Sequence, residues 1–182
     1  RHRYYETLVG YTTLLLSYPE TCFSIAEGIN RGWAAGDAES WYKKGIIADF
    51  SFYGVVDGAN TVIFQAPSGV LGDQVVYTVP FSYDNYYNQP LVKYDAGNPA
   101  HGLEQILEQK YLAYFRNSGL EAYYQWRRTG VPGFLQGPDQ SGYGNGGTIP
   151  LRYAYPLTEP SVNAANYTSG VASQYGGNDD IN

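Results

Sequence analysis

The chain has 182 residues, of which 43% are hydrophobic and 15% are charged. This apolar share can supply the core of one domain and argues against intrinsic disorder. The net charge of −6 argues against nucleic-acid binding, and one cysteine with two histidines excludes an internal disulfide and a Cys/His zinc cluster. No apolar run approaches the roughly 20 residues of a membrane-spanning helix. The unusual count is 20 tyrosines, which favour either wet interfaces or a stacking surface.

The chain contains no methionine, begins at Arg1-His2-Arg3 and ends in a string rich in turn-forming residues. We therefore expect it to be a piece of a longer polypeptide. The alternative is a processed mature protein.

Residues 19–54 are predicted to form a helix pair. From Pro19, which suits a first helical turn, apolar side chains recur at helical spacing as far as Trp33. Asp37 is well placed as the N-cap of a second helix, and Gly54 ends it. The apolar residues of that second helix follow one another at intervals of four, three and four: Trp41, Gly45, Ala48 and Phe52.

This helix pair is about as long as a tetratricopeptide unit, and part of its spacing fits that repeat. Ala38, Tyr42 and Gly45 reproduce the small–aromatic–small pattern of the second helix, and Ile25-Ala26 occupies the large–small position of the first. The expected tryptophan and proline are missing, so the unit is degenerate. A single unit cannot bury both of its faces, so it needs neighbours.

The remaining segments are less regular. Residues 55–99 are punctuated by glycine and proline around two short β-prone runs, and we interpret them as a long loop insertion. Residues 101–130 are predicted to form a second helix pair, and residues 131–182 an irregular tail. The expected fold class is therefore mainly α, with tetratricopeptide-like helical repeats, long irregular loops and short strands.

Four stretches, taken together and in order, resemble the carboxy-terminal part of the SusD/RagB family of outer-membrane lipoproteins. They are residues 18–33, 36–55, 106–132 and 149–167. The most specific pieces are Ala26-Glu27, Gln109-Lys110, the run from Glu121 through Arg127-Arg128 to Pro132, and the tail from Tyr155 to Tyr167.

The resemblance implies that residues 1–182 are the carboxy-terminal portion of a single SusD-like domain. It implies a cell-surface, glycan-binding and non-catalytic subunit whose partner is a SusC-like TonB-dependent transporter of the outer membrane. The lipid anchor would lie outside this chain, so Cys22, inside a helix, is not the anchor. A peptide-capturing, RagB-like member of the family and a tetratricopeptide adaptor that docks protein partners are the alternatives.

Several residues that match the family are interpreted as scaffold. We expect Glu27 to form a structural ion pair with a nearby arginine, Arg127 or Arg128, because a helix-borne Glu near Arg more often serves structure than ligand contact. We expect the tryptophans to pack in the core, because they lie at core spacing: Trp33, Trp41 and Trp126.

Two segments supply candidate ligand-binding residues on composition alone. Glycan capture needs aromatic faces with amides or carboxylates beside them, and such side chains are commonly carried on loops. The candidates are Tyr83, Asp84, Tyr86, Tyr87 and Asn88 in the 55–99 insertion, and Tyr143 and Asn145 in a glycine-rich loop. The alternative is that these tyrosines merely cover the scaffold.

No catalytic residue, cofactor or metal is predicted. His2 and His101 are isolated histidines, and neither a nucleophile motif nor a phosphate-binding motif is present. The one carboxylate pair, Asp179-Asp180, fits a solvated turn better than a calcium site.

Overall fold

The computed structural model describes residues 14–65, 73–115, 118–137 and 148–177. The chain divides into two compact units, residues 1–132 and residues 133–182. The first unit contains most of the helices and one β-hairpin. Its elements are α1 (Tyr18–Asn30), α2 (Ala38–Phe52), β1 (Gly58–Gln65), β2 (Gln74–Phe81), α3 (Tyr83–Tyr87), α4 (Pro99–Ala113) and α5 (Glu121–Thr129).

The expectation of a mainly α fold is confirmed. Helices α1 and α2 begin where the capping residues place them. The Ser17 side chain accepts a hydrogen bond from the Glu20 amide at 3.2 Å, and the Asp37 side chain accepts one from the Ser40 amide at 3.3 Å. Each cap satisfies one of the amides that a helix start leaves unpaired.

Helices α1 and α2 approach closely through the small residue of the repeat pattern. A Cβ added at Gly45 would lie 2.6 Å from a ring carbon of Phe23, so only glycine fits there. Ala38, Tyr42 and Gly45 are all buried, as their spacing predicts. The face of α2 that meets the core is completed by Ile46, while Trp41 is half-buried.

The core of the first unit lies among α1, α2, α3, α4 and the segment before α4. Its buried members are Phe23, Ala26, Tyr42, Ile46, Tyr87, Val92 and Ile106. Tyr42 is fully buried, and its hydroxyl donates a hydrogen bond to the Val92 carbonyl at 2.6 Å. Helix α1 packs against both α2 and α4, and α4 also contacts α5.

The segment interpreted as a long loop, residues 55–99, contains an antiparallel hairpin and a short helix. β1 and β2 pair from Gly58 opposite Phe81 to Gln65 opposite Gln74. The two β-prone runs seen in the sequence are the centres of these strands, and each grows to eight residues by pairing with the other. The sequence underestimated their length because strand pairing is a non-local contact.

The second unit, residues 133–182, contains α6 (Glu159–Val162) and α7 (Ala164–Tyr175) where an irregular tail was expected. Helix α7 ends at Gly176, whose φ of 72° is the left-handed conformation typical of a helix end. Its sequence gives a weak signal because one residue of the helix, Val171, is buried and neither end carries a charge. No helix in the described ranges is long and apolar enough to cross a membrane.

Candidate functional site

Three of the tyrosines proposed for ligand stacking, Tyr83, Tyr86 and Tyr87, lie on α3, and all three pack in or against the core. The Tyr86 hydroxyl donates to the Gln109 side-chain oxygen at 2.9 Å, and the Tyr87 hydroxyl donates to a Glu39 carboxylate oxygen at 2.6 Å. Tyr87 is 6% exposed, and Tyr86 is partly buried against the core. The expectation that Tyr86 and Tyr87 are loop-borne stacking surfaces is therefore not met: both lie on helix α3, and their rings cover the scaffold, which is the alternative given for them.

The electrostatics of α3 fit this packing. Burial raises the pKa of Tyr87, and the Glu39 carboxylate that accepts its hydrogen bond raises it further. Burial likewise raises the pKa of Tyr83 to about 12. Lys43 lies 4.5 Å from the centre of the Tyr87 ring and 2.6 Å from Glu39, so α2 and α3 are tied by a small charged and aromatic cluster.

The exposed side chains on α3 and at its C-terminal end are polar. Asp84 and Asn88 are exposed, and the Asn88 side-chain amide donates to the Asp84 carbonyl at 2.8 Å. Tyr83 is half-buried and stacks on Tyr87 at 6.0 Å, and its hydroxyl has no hydrogen-bond partner among the described residues. The other two candidates, Tyr143 and Asn145, lie outside the described residues.

The charged residues of the family-like motifs form a network that joins α1 to α5. Glu27 on α1 is 4% exposed, and Arg128 on α5 donates to its two carboxylate oxygens at 2.5 and 2.9 Å. Arg31, the residue directly after α1, donates to the same carboxylate at 2.9 Å. Burial opposes ionisation of Glu27, but the Arg128 and Arg31 hydrogen bonds and charges outweigh it and hold its pKa below the usual value. Arg127 is exposed.

A buried lysine lies close to this network. Lys110 on α4 is 8% exposed, and its ammonium group donates to the Ser24 hydroxyl at 3.0 Å. Burial lowers the pKa of Lys110, and the negative charges of Glu27 and Glu20 partly oppose that shift. The side chains of the Ala26-Glu27, Gln109-Lys110 and Arg127-Arg128 motifs thus mostly hold three helices together, which is a scaffold role.

The three tryptophans differ in exposure. Trp41 and Trp126 are half-buried, with Lys44 4.3 Å from the Trp41 ring centre and Tyr123 packed on Trp126. Trp33, in the turn after α1, is 73% exposed, so the expectation that it packs in the core is not met in this chain. The helical spacing that suggested packing stops at Asn30, where α1 ends, and Trp33 lies beyond it.

One titratable residue of the helical unit was missed by sequence reasoning. Asp49 on α2 is half-buried, and burial raises its pKa to about 6. Its charge also contributes to the raised pKa of Tyr86, behind the larger effect of burial. The signal in the sequence was a lone carboxylate inside the apolar run from Ile46 to Phe52. No group of three or more His, Cys, Asp or Glu side chains in the described ranges is arranged to hold a metal ion.

The described geometry is that of a helical scaffold with exposed polar and aromatic side chains. Residues 6–156 match the SusD-like family described as "Starch-binding associating with outer membrane". The chain therefore belongs to the SusD-like family, a family of binding proteins associated with the outer membrane.

Solved structures agree with this assignment. A SusD homologue from Bacteroides fragilis is 30% identical with a TM-score of 0.65, and the alignment covers 93% of this chain and 34% of that one. A second homologue from the same species is 29% identical with a TM-score of 0.67, at 93% and 34% coverage. A chitin-binding protein is 35% identical with a TM-score of 0.57, at 91% and 31% coverage.

The chain thus spans about a third of the length of the structures it matches. A search of curated proteins gives no match.

Proposed function

We propose that this chain is part of a non-catalytic, glycan-binding subunit of an outer-membrane uptake system. The observation that carries the proposal is the family match over residues 6–156, whose description names starch binding and the outer membrane. The likeness to a chitin-binding protein at 35% identity supports a saccharide ligand, since it is a member of the same fold that binds a polysaccharide.

The proposal includes a partner and a location. The proposed partner is a SusC-like TonB-dependent barrel of the outer membrane, to which the binding subunit would pass its ligand. The proposed location is the cell surface, with attachment through a lipid anchor outside this chain.

We propose that exposed side chains, and not the buried rings of α3, contact the ligand. Trp33 offers a flat aromatic surface at 73% exposure, with the Arg31 guanidinium 5.2 Å from its ring centre. A pyranose ring can stack on such a surface, and a nearby guanidinium can donate hydrogen bonds to its hydroxyls. Asp84 and Asn88 remain candidates for hydroxyl recognition, as do Tyr143 and Asn145.

Calorimetric titration of the full-length protein tests the proposal, with malto-oligosaccharides, chito-oligosaccharides and a mixed peptide panel as ligands. We expect saturable binding of at least one oligosaccharide series. Trp33→Ala should weaken it about two- to thirteenfold, because one stacking contact contributes roughly 0.5–1.5 kcal/mol. Tyr124→Ala, at a tyrosine that is 52% exposed on α5, is the matched control and should leave the affinity unchanged.

Two outcomes would contradict the proposal. Tight peptide binding with no response to any oligosaccharide would favour the peptide-capturing alternative. Release of reducing ends from a bound oligosaccharide, persisting after further purification, would make the protein a hydrolase.

A further inference from the structure

The turn that ends α1 fixes the backbone of Trp33. The Trp33 amide donates to the Gly28 carbonyl at 2.8 Å, and the Gly32 amide donates to the Ile29 carbonyl at 2.9 Å. Together with the φ of 75° at Gly32, these two hydrogen bonds form the Schellman motif of a helix C-terminus. Trp33 is therefore held in a defined position directly after the helix.

The same motif explains why the indole ring of Trp33 is open. A side chain at this position frequently packs on the residue five or six positions before it. Here those residues are Gly28, which has no side chain, and Glu27, whose carboxylate is bonded to arginines. Trp33 consequently stays 73% exposed. The next three residues of the connection to α2 are small and exposed as well: Ala34, Ala35 and Gly36.

Arg31 is held beside this ring and keeps hydrogen-bond donors free. Its Nε–H donates to Glu27 at 2.9 Å, and its guanidinium lies 5.2 Å from the Trp33 ring centre. A guanidinium carries five N–H donors, and those on the terminal nitrogens of Arg31 have no hydrogen-bond partner among the residues that the structure describes. The side chain is 27% exposed and its terminal nitrogens are not buried, so these donors are open to a ligand.

The charges around Arg31 do not cancel. Both Arg31 and Arg128 contact Glu27, so one carboxylate faces two guanidiniums. The carboxylate on the connection to α2, Asp37, accepts a hydrogen bond from the Ser40 amide and caps that helix. Although the chain has a net charge of −6, the group formed by Glu27 and its two arginines thus carries a positive charge next to an open aromatic ring.

We propose that Trp33 and Arg31 form a subsite for an acidic sugar, a pyranose that carries a carboxylate or a sulfate group. The apolar face of the pyranose stacks on the indole, and its anionic group accepts hydrogen bonds from the terminal nitrogens of Arg31. A neutral sugar offers the same face for stacking but no group that matches the charge and fork of a guanidinium. This assignment rests on the proposed function, because it names the class of saccharide that the site takes.

Calorimetric titration of the full-length protein with matched pairs of ligands tests the subsite. Oligogalacturonates are compared with their methyl esters, and sulfated carrageenan oligosaccharides with their desulfated forms, so the members of a pair share a skeleton and differ in charge. We expect the anionic member of at least one pair to bind roughly tenfold more tightly at low ionic strength, because charge-assisted hydrogen bonds are about twice as strong as neutral ones. The preference should shrink as salt is added, since Arg31 is partly exposed.

Substitutions assign the preference to this site. Arg31→Gln should reduce it to less than about twofold, and Arg31→Lys, which keeps the charge without the planar fork, should lower it roughly two- to threefold. The matched control is Arg127→Gln, which removes the same charge from an exposed side chain on α5 and should leave the preference within about twofold of wild type. Circular dichroism checks the fold of each variant, and Arg128 still pairs with Glu27 in all of them. Arg31→Lys decides if Arg31→Gln misfolds.

The possible failures are distinguishable. Equal binding of the charged and neutral members of both pairs would overturn the acidic subsite and leave the proposed glycan-binding function intact. An anionic preference that the Arg31 variants leave unchanged would also overturn the subsite, since the anionic group would then bind elsewhere. Failure of every saccharide to bind would overturn the proposed function and the subsite with it.

Discussion

The helical part of the first unit and its β-hairpin differ in which side chains they bury and which they expose. Among α1, α4 and α5, charged side chains such as Glu27 and Lys110 are buried and tied to partners on other helices. In strands β1 and β2 no residue is charged, and large apolar side chains are exposed. The difference indicates that the fold's stability resides in the helices, while the hairpin is a surface feature held by its own cross-strand pairs and its base at Phe81.

The largest loss of stability is expected on removing the charge of Glu27, the buried carboxylate of the helical part. Glu27→Gln leaves Arg128 and Arg31 without the negative charge that both contact. Removing one partner of a buried ion pair is strongly destabilising, but the Arg128 and Arg31 side chains left behind are 46% and 27% exposed and can be solvated. We therefore expect the free energy of unfolding to fall by about 2 kcal/mol at pH 7, less than for a fully buried pair. The matched control is Glu39→Gln on α2, whose pair with Lys43 is partly exposed, and it should cost less than about 1 kcal/mol. Urea unfolding measures both.

The pH dependence of this effect has a definite sign. The pKa of Glu27 is lower in the folded chain than its ordinary value of 4.5, so the ionised form is favoured by folding. The stabilisation is therefore complete above pH 4.5 and is lost as the pH falls through the lower folded-state pKa. The difference between wild type and Glu27→Gln should shrink in that acidic range. A difference that stays constant down to pH 3 would contradict the ion-pair explanation.

The second effect tests the close approach of α1 and α2. Gly45→Ala would place a Cβ 2.6 Å from the Phe23 ring, and the strain should lower the free energy of unfolding by about 2 kcal/mol. Gly28→Ala on α1 is the matched control, because no atom lies within 4 Å of its added Cβ. That variant should be stabilised by roughly 0.5–1 kcal/mol through helix propensity. Thermal melts of the two variants should shift in opposite directions, and a shift of the same sign would refute the packing argument.

The sequence predicted the helical part well because its signals are local. Asp37 as an N-cap and the Ala38–Tyr42–Gly45 spacing depend on residues within one helix, and the structure has both. A structural ion pair of Glu27 with Arg127 or Arg128 was also expected, because a helix-borne Glu near Arg more often serves structure, and the partner is Arg128.

The misses arise from contacts that residue spacing does not encode. The sequence pattern predicted Tyr86 and Tyr87 to be loop tyrosines. Their hydroxyls are held inward by acceptors on other helices, Gln109 on α4 for Tyr86 and Glu39 on α2 for Tyr87. Trp33 is a large apolar residue of the kind usually found in a core, but it is exposed because α1 ends three residues before it. For the same reason the candidate ligand site was predicted less well than the fold.

The smallest predicted changes in the free energy of unfolding come from removing the hydroxyl of one tyrosine in the helical core and one in the hairpin. The Tyr42 hydroxyl donates to the Val92 carbonyl in the core, and Tyr42→Phe leaves that buried acceptor unpaired, which should cost about 1–2 kcal/mol. Tyr77→Phe in the hairpin removes a hydroxyl from a side chain that is 51% exposed and should change the free energy of unfolding by less than roughly 0.5 kcal/mol. Urea unfolding of both variants measures the contrast directly. Equal costs would mean that the hairpin contributes to the cooperative core as the helices do, and the distinction between a stabilising helical part and an exposed hairpin would then fail.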